Sequence, residues 1–447
     1  MRDGSVDSCR LRRERSPVRP ATSQPRATAV RAQNRQELIY LVAPGGNPNY
    51  GDEFILRAWL RHLAVVRPHA DVVVDCHTPG QAAVLLQGSH PRMTFVDTIW
   101  RICFETAPLA PSEAAAVAQD VINNPGRMPR IVSGIELLAR AHTVHLVGGG
   151  YINTVWPHHV ALLAAAAAAA DRSGGRALAT GQGLVPVGES ERLNLLRELQ
   201  SRFAVFDVRD ARSAESLAGS SGSYTFTGDD AWLGIGEDGV YDTTSEAARR
   251  SMVFCLQSDL MDDFADGQGI DGLASAIAGL IENWGVAGHD VAVVEGIPGA
   301  DRIVYDRVAH LLPGAVFVPF TTVWNDGLPA NADQMWVSTR FHPHLLAAAI
   351  GASGLALSGR ADYYPNKHQS LIEAGSRWQV ADSAALPPSP IRNGGFSPDA
   401  VMLHRGRKAA LAAEIYPPQR SAMRWARNSL RLTMRRSAGN PPHRPSR

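Results

Sequence analysis

The sequence predicts an α/β protein built from two units that face each other across a cleft. Apolar runs rich in β-branched residues alternate with helical stretches, which is the pattern of βαβ units. The apolar runs are continuous rather than alternating, so their strands are expected to be covered on both faces, as in parallel sheets. The pattern ends near residues 235–250 and then begins again, which indicates two units.

The first unit contains most of the predicted strands. They lie at 37–46, 71–76, 93–97, 143–150, 176–183 and 203–210. A helix is predicted over 52–66. The alanine-rich stretch 160–171 is predicted to be a buried helix, because it is well short of the roughly 20 residues that cross a bilayer.

The second unit follows a stretch rich in Gly, Asp and Thr at 228–250. Its strands are predicted at 251–257, 290–296, 314–320 and 333–338, with a helix at 272–284. Ligands usually bind at the carboxyl ends of such strands, in the cleft between two units. The predicted organisation is a disordered basic N-terminal tail at 1–36, α/β domains at 37–240 and 241–402, and a basic C-terminal helix and tail at 403–447.

The distribution of charge limits the functions that are open to this chain. The formal net charge is only +1, but residues 1–36 hold nine arginines against three acids, and residues 403–447 hold eleven basic residues against one acid. The body between them is therefore acidic, which argues against a broad nucleic-acid-binding face. A site for an anion must be a local concentration of Arg, Lys and backbone N–H groups.

The cysteines and the termini bear on location. The four cysteines are isolated, which favours a reducing compartment, and the N-terminal stretch lacks an apolar signal core, so a cytoplasmic location is predicted.

Near the C-terminus two stripes at helical spacing, one apolar and one basic, predict a basic amphipathic helix: Met423, Ala426, Leu430 and Met434 beside Arg424, Arg427, Arg431 and Arg435. The sequence leaves two interpretations of this helix open: peripheral contact with the inner face of the membrane, or a solvated helix.

Two glycine-rich stretches follow predicted strands. In "GGNPNYGDEFIL" (45–56), glycines leave room for a ligand and the following helix start offers N–H groups, while Asp52 is either an N-cap or a site residue. In "LVGGGYINTVW" (146–156), Gly148, Gly149 and Gly150 indicate either a tight turn or the close approach of a ligand.

Two basic residues lie at other turns between strands and helices. Arg209, in "FDVRDARSAESL" (206–217), belongs either to a salt-bridged surface turn or to a site for a carboxylate or phosphate. Lys367, in "NKHQSLIEAG" (366–375), lies near a helix start, where a phosphate contact and a solvated side chain are both open.

The strongest functional signal is "STRFHPHLLAAAIG" (338–351), where a helix is expected to start near Pro343. Arg340 lies at the N-terminal end of this helix, where the helix dipole disfavours a cation. An anion bound between the guanidinium and the N–H groups of the helix would explain this placement. Histidine is the residue type suited to proton exchange near neutral pH, so the Arg-x-His pair of Arg340 and His342 favours a functional site. His344 is interpreted as an ordinary helix-start residue. The short "PHH" (157–159) and "HPH" (342–344) clusters are too isolated to predict a metal site.

These stretches, in this order, resemble the polysaccharide pyruvyl transferase family. The matching pieces cover most of 40–375 and are "GGNPNYGDEFIL", "LVGGGYINTVW", "GQGLVP", "VRDARSAESL", "GDDAWL", "STRFHPHLLAAAIGASGLAL" and "NKHQSLIEAG". The chain departs from the family in two places. It reads "GASGLAL" where the family often has Gly-x-Pro, and the loop "SGRADYYPN" precedes Lys367.

The resemblance implies a GT-B-like pair of Rossmann-like domains. It also implies transfer of a pyruvyl group from phosphoenolpyruvate to a cell-surface glycan or glycolipid, forming a ketal without a metal or cofactor. Arg340 and His342 would bind the donor and supply the acid or base.

Lys367 and Arg209 are further candidate donor contacts. Asp52, Gly148, Gly149, Gly150 and Asn153 would shape the acceptor side. A nucleotide-sugar glycosyltransferase and a non-catalytic saccharide-binding relative are the alternatives.

Overall fold

The computed structural model of the protein describes residues 36–359, 364–382 and 386–418. The described residues form two parallel β-sheets with helices on both faces. The predicted N-terminal tail, apart from residue 36, and the predicted amphipathic stripes of 423–435 lie outside the described residues.

The first sheet has seven strands in the order β3-β2-β1-β4-β5-β6-β7, with every neighbouring pair parallel. Its strands are β1 Leu38–Val42, β2 Asp71–Asp75, β3 Met93–Val96, β4 Thr143–Leu146, β5 Arg176–Gln182, β6 Val205–Val208 and β7 Thr225–Phe226. The order of the strands reverses beside β1, so the crevice between β1 and β4 is the topological switch point.

The second sheet has six strands in the order β10-β9-β8-β11-β12-β13, again all parallel. Its strands are β8 Met252–Cys255, β9 Val291–Val294, β10 Val316–Val318, β11 Met335–Ser338, β12 Ser353–Leu357 and β13 Gln379–Ala381. The two sheets confirm the predicted class of two Rossmann-like α/β domains. The predicted strands lie within a few residues of the observed ones, whereas β12 and the short edge strands β7 and β13 were not among them.

Helices connect the strands of both sheets. In the first sheet they are α1 Tyr50–Val66, α2 Pro79–Leu85, α3 Thr98–Glu105, α4 Pro111–Asn123, α5 Val132–Leu138, α6 Val160–Ser173, α7 Ser190–Gln200 and α8 Ala211–Ser216. The helices that follow β8 in the chain are α9 Phe264–Gly267, α10 Gly269–Asn283, α11 Arg302–Val308, α12 Phe320–Asp326, α13 Phe341–Ala349, α14 Tyr364–Glu373 and α15 Pro398–Ile415. Helix α6 is buried from Val160 to Ala170, which confirms the buried alanine-rich helix. None of the described helices combines the length and the apolar character that a membrane crossing needs.

The last helix, α15, returns to the first sheet, so the predicted boundary at residue 402 falls inside a helix. Lys408, from the segment predicted to be a basic tail, is fully buried and bonded to carboxylates of the first domain. Just after the helix, the Tyr416 hydroxyl lies 3.1 Å from Nδ1 of His145 on β4. Residues 403–416 are therefore part of the folded body.

The two sheets share packing at the base of the cleft. The N–H of Tyr50, at the start of α1, donates to the carbonyl oxygen of Gly296 just after β9, at 2.9 Å. The guanidinium of Arg57, further along α1, stacks over the Trp324 ring at 3.9 Å and donates to its carbonyl oxygen. Helix α1 of the first domain therefore packs against the second domain.

Candidate active site

A cleft of about 340 Å³ lies between the two sheets. Its walls come from segments that follow the carboxyl ends of strands in both sheets, as expected for doubly wound domains. The lining residues on which the argument below depends are Asp52, Gly150, Arg209, Asp259, Arg340, His342 and Lys367. All four predicted catalytic and donor-binding residues therefore line one cleft.

Helix α1 begins at the edge of this cleft. Asn49 is its N-cap, and the Asn49 side chain accepts a hydrogen bond from the N–H of Gly51 at 3.2 Å. Asp52 lies inside the first turn, so the interpretation of Asp52 as the N-cap is wrong. The helix start still favours an acidic residue at this position because of the helix dipole.

Gly51 and His342 are in direct contact across the domain boundary. A Cβ atom placed on Gly51 would lie 1.8 Å from Nδ1 of His342, far inside van der Waals contact. Glycine is therefore the residue that allows the imidazole to pack against the first turn of α1. His342 itself lies in the first turn of α13, whose N-cap is Arg340, so the helix starts two residues before the predicted Pro343.

The imidazole of His342 is paired with a carboxylate from the first domain. Its Nε2 lies 3.5 Å from Oδ1 of Asp229, and both side chains are at least nine-tenths buried. Burial alone would raise the pKa of Asp229, but His342, Arg209 and the N–H of Ala231 outweigh it and lower the pKa to about 2. Asp229 is therefore ionised and can stabilise positive charge on the imidazole.

Arg209 is buried beside this pair rather than placed in a surface turn. Its Nη1 lies 3.6 Å from Asp229, and its guanidinium stacks over the Phe341 ring at 4.6 Å. Glycines make room for it: a Cβ on Gly150 would lie 2.7 Å from Nη2, and one on Gly183 would lie 2.4 Å from Nε. Gly150, which follows β4, and Gly183, which follows β5, are therefore explained by close packing against the Arg209 guanidinium.

Several buried polar atoms of this cluster lack hydrogen-bond partners. Within the described part of the chain, Nε of Arg209, Oδ2 of Asp229 and Nε2 of His342 make no hydrogen bond. Buried groups of this kind are uncommon and often indicate a functional site. A ligand or ordered water would satisfy them.

Asp52 and Lys367 complete the charged lining of the cleft. Burial raises the pKa of Asp52, and electrostatic interactions with His342, Lys367 and Arg209 oppose that shift. Burial and Arg209 lower the pKa of Lys367, and Asp52 and Asp259 oppose that shift. An anionic ligand bound here would favour the charged ammonium form.

Arg340 lines the cleft but is already paired with two carboxylates. Its Nε and Nη2 bond Asp301, with Nε 3.1 Å from Oδ1, and its Nη2 lies 2.6 Å from Oδ1 of Asp259. The Asp301 side chain is fully buried, whereas the Asp259 side chain is 42% exposed. Asp301 therefore fixes the guanidinium, and only Asp259 can readily give way to a ligand.

The predicted acceptor loop is held by contacts within the protein. The N–H of Gly148 donates to Asp230 at 2.9 Å, and the Asn153 side chain donates to the carbonyl oxygen of Gly150 at 2.9 Å. Gly149 has a φ of 156°. A Cβ placed there would meet the Tyr151 ring at 2.7 Å. Of the three glycines, Gly150 lines the cleft.

A buried ionic network supports the loop that carries Asp229. Lys408 Nζ on α15 lies 2.8 Å from both Asp207 and Asp230. Burial would lower the pKa of Lys408, but the two carboxylates outweigh it and raise the pKa. Asp230 also accepts from Thr180 at 2.5 Å and from the indole of Trp59 at 2.7 Å.

A chain of hydrogen bonds lies behind Arg340 and Lys367. Nε2 of His368 faces the carbonyl oxygen of Thr339 at 3.3 Å and must donate to it, so Nδ1 of His368 accepts from Nδ1–H of His344 at 3.1 Å. Nε2 of His344 then accepts from the Ser376 hydroxyl at 2.9 Å. His344 lies near the start of α13, as predicted, but it is fully buried and belongs to this chain of hydrogen bonds. The chain ties α14, which carries Lys367, to the end of β11.

One cluster among the described residues has ligand atoms close enough together to hold a metal ion. The ligand atoms of Cys103, His158 and His159 lie within 4.8 Å of one another. Burial raises the pKa of the Cys103 thiol, so this sulfur is a neutral thiol and a poor ligand. His159 also uses Nδ1 to bond the carbonyl oxygen of Tyr151 at 2.9 Å.

Sequence reasoning missed the three carboxylates that hold the cationic residues. Asp229, Asp259 and Asp301 each lie a few residues beyond the end of a strand, namely β7, β8 and β9. An acidic residue just past the carboxyl end of a parallel strand was the available signal. Asp229 was even part of the quoted piece "GDDAWL".

The fold and this site define a two-domain α/β protein with a charged ligand cleft between its domains. The family model of polysaccharide pyruvyl transferases matches residues 49–242. The match begins at the N-cap of α1 and ends just beyond the first sheet, so it confirms the family resemblance over the first domain. The pieces of the resemblance at 338–357 and 366–375, which carry Arg340, His342 and Lys367, lie beyond the match. The family is one of transferases. No curated protein matches the chain significantly.

Solved structures resemble the chain at low sequence identity. Anabaena Alr3699/HepE in complex with UDP and glucose is 11% identical, with a TM-score of 0.44 over 89% of this chain and 100% of that one. Staphylococcus aureus MnaA with UDP is 13% identical, with a TM-score of 0.48 over 78% and 84%. The calicheamicin glycosyltransferase CalG4 is 15% identical, with a TM-score of 0.44 over 88% and 98%.

Proposed function

We propose that the protein transfers the pyruvyl group of phosphoenolpyruvate to two hydroxyls of a saccharide, forming a pyruvate ketal and releasing phosphate. The observation that carries this proposal is the convergence of Arg209, Arg340 and Lys367 with His342 in one interdomain cleft. The donor carries its carboxylate and its phosphate on one carbon atom, so a compact cluster of cations suits it. The family match supports the same class of reaction.

Donor binding requires one change at Arg340. Asp259 occupies the outer side of the guanidinium, and a phosphate or carboxylate of the donor would take its place. Arg209 and Lys367 would contact the remaining donor oxygens. Asp301 stays in position and keeps the guanidinium aimed at the cleft.

The proposed chemistry centres on His342. Its imidazolium gives a proton to the methylene carbon of the donor, and positive charge develops on the carbon that carries the phosphate. One acceptor hydroxyl attacks that carbon, the bond between carbon and the phosphate oxygen breaks, and a second hydroxyl closes the ketal. The two hydroxyls lose two protons: one restores His342 and the other leaves with phosphate.

The geometry around His342 fits this role. Asp229 provides a fixed negative charge 3.5 Å from the ring, and Gly51 limits the positions that the ring can take. The donor is already activated by its phosphate, so the proposed reaction uses no resident metal or cofactor. We extend the proposal to a surface glycan or glycolipid as acceptor and to a cytoplasmic location.

A ligand screen followed by a turnover assay tests the proposal. Phosphoenolpyruvate is expected to raise the melting temperature of the protein, and UDP-glucose is expected to have no effect. With a mixture of glycan acceptors, the wild type should release phosphate from phosphoenolpyruvate. His342→Asn should bind the donor but lose at least about 100-fold in turnover. Stabilisation by UDP-glucose alone would favour the glycosyltransferase alternative, and full turnover by His342→Asn would refute the role of His342.

A further inference from the structure

The lining of the cleft contains two chemically different groups of residues. One group consists of the charged residues described above. The other group belongs to the first domain and consists of aromatic rings, which we call the aromatic patch: His77, Phe104, Trp156, His158 and His159. The proposed donor chemistry uses none of these side chains.

The rings of the aromatic patch pack on one another. His77 lies 5.3 Å from Phe104, measured between ring centroids, and the Trp156 ring is stacked on His159 at 5.8 Å with only 9° between the planes. His158 lies 4.5 Å from His159. Phe104 is 42% exposed although it is a large apolar residue. The patch therefore presents both ring faces and ring edges to the cleft.

The histidines of the patch are neutral at physiological pH. Burial lowers the pKa of His77 to about 4. Burial, together with His158, lowers the pKa of His159 to about 3. Nε2 of His77 is buried and has no hydrogen-bond partner among the residues that the structure describes. The aromatic patch thus carries no net charge.

We propose that the aromatic patch binds a pyranose ring of the acceptor; this assignment rests on the proposed function. A sugar ring has apolar C–H faces and a rim of hydroxyls, so it suits aromatic faces flanked by polar ring edges. Because the ring is neutral, it needs none of the cations of the cleft, which stay available for the donor. The patch and the charged residues line the same cleft, so a ring on the patch lies in the cleft that is proposed to hold the donor.

Saturation-transfer NMR tests this inference without knowledge of the natural acceptor. The probes are methyl β-D-glucopyranoside, methyl β-D-galactopyranoside and methyl β-D-mannopyranoside, each titrated into the full-length protein. At least one is expected to receive saturation on its ring C–H protons. Phe104→Ala and Trp156→Ala should each weaken the apparent affinity for that probe about three- to tenfold. Circular dichroism and melting curves check that each variant is folded.

A matched control is available on β7. Phe226 is 50% exposed in the same domain and does not line the cleft, so Phe226→Ala should bind the pyranoside as the wild type does. Equal binding by the wild type, Phe104→Ala and Trp156→Ala would overturn the inference. Saturation of none of the three probes by the wild type would also overturn it. If Trp156→Ala does not fold, Phe104→Ala decides the matter.

Phosphoenolpyruvate binding is measured on the same samples by thermal shift. Retained donor binding in Phe104→Ala together with weakened pyranoside binding supports separate donor and acceptor sites. If the wild type binds the pyranoside through the patch but does not bind phosphoenolpyruvate, the proposed function fails while the saccharide site stands.

Discussion

Gly51 packs directly against the imidazole of His342, and a Cβ atom at Gly51 would lie 1.8 Å from the ring nitrogen Nδ1. The contact joins the first turn of α1 in one domain to the first turn of α13 in the other. Together with Asp229, which approaches Nε2, it fixes the imidazole from two sides. The position of the proposed acid is therefore set by both domains.

Gly51→Ala is expected to move His342 and lower kcat/KM on the order of 100-fold, because small displacements of reacting groups are costly. The protein should remain folded, since alanine suits a helical position. Gly279→Ala on α10 is the matched control, because a Cβ there meets no atom within 4 Å. Wild-type kinetics in Gly51→Ala would contradict the proposed role of the contact.

Asp259→Asn is expected to tighten the binding of phosphoenolpyruvate about three- to tenfold. The Asp259 carboxylate pairs with Arg340 at 2.6 Å and competes with the anionic donor, and its removal frees one side of the guanidinium. Calorimetric titration of the donor measures the change. The exposed neighbour Asp262 provides the control Asp262→Asn, for which no change is expected. Weaker binding in Asp259→Asn would show that Asp259 positions Arg340 rather than competing with the donor.

Glu53 is expected to make stability depend on pH. Burial raises its pKa from the ordinary 4.5 to about 8, with Asp52 adding to the shift and the N–H of Gly46 opposing it. Because the folded state holds the proton more tightly, the stabilisation is fully present below pH 4.5 and is lost as the pH rises through about 8.

Urea unfolding across that pH range measures the effect of Glu53. The wild type should lose stability relative to Glu53→Gln as the pH rises, whereas the exposed control Glu282→Gln should follow the wild type at every pH. The difference in free energy of unfolding between the wild type and Glu53→Gln cancels the contributions of the other groups that titrate in this range. A difference between wild type and Glu53→Gln that stays constant with pH would contradict the shifted pKa.

Lys408→Met is expected to lower the free energy of unfolding by about 3–5 kcal/mol, because it leaves Asp207 and Asp230 buried without their cation. Urea unfolding measures the loss. Arg407, its exposed neighbour on α15, gives the matched control Arg407→Met, for which little change is expected. If Lys408→Met and Arg407→Met lower the free energy of unfolding by the same amount, the buried network does not hold α15 against the first sheet.

Local sequence pattern was sufficient to predict most of the strands and the turns that carry the candidate site residues. Arg209, Arg340 and His342 each follow the carboxyl end of a parallel strand, and such ends meet at one edge of a sheet. Continuous apolar runs also marked helix α6 as buried, because no polar face interrupts it. These features depend on short stretches of chain, which a single sequence displays directly.

The partners of those residues depend on contacts between distant parts of the chain. Asp301 meets Arg340 across 39 positions, and Lys408 meets Asp207 across 201. Charge composition placed Lys408 in a basic tail, since nothing near it in sequence indicates burial. Only the return of α15 to the first sheet gives that lysine its two carboxylates.

The most direct test of the central claim is a calorimetric titration of phosphoenolpyruvate into the wild type and into Arg209→Met and Lys367→Met. The account predicts saturable binding to the wild type, weakened about tenfold or more in each variant, because each loses a charged hydrogen bond to the donor. Circular dichroism confirms that the variants are folded. Absence of binding to the wild type, or equal binding by all three proteins, would contradict a donor site in this cleft.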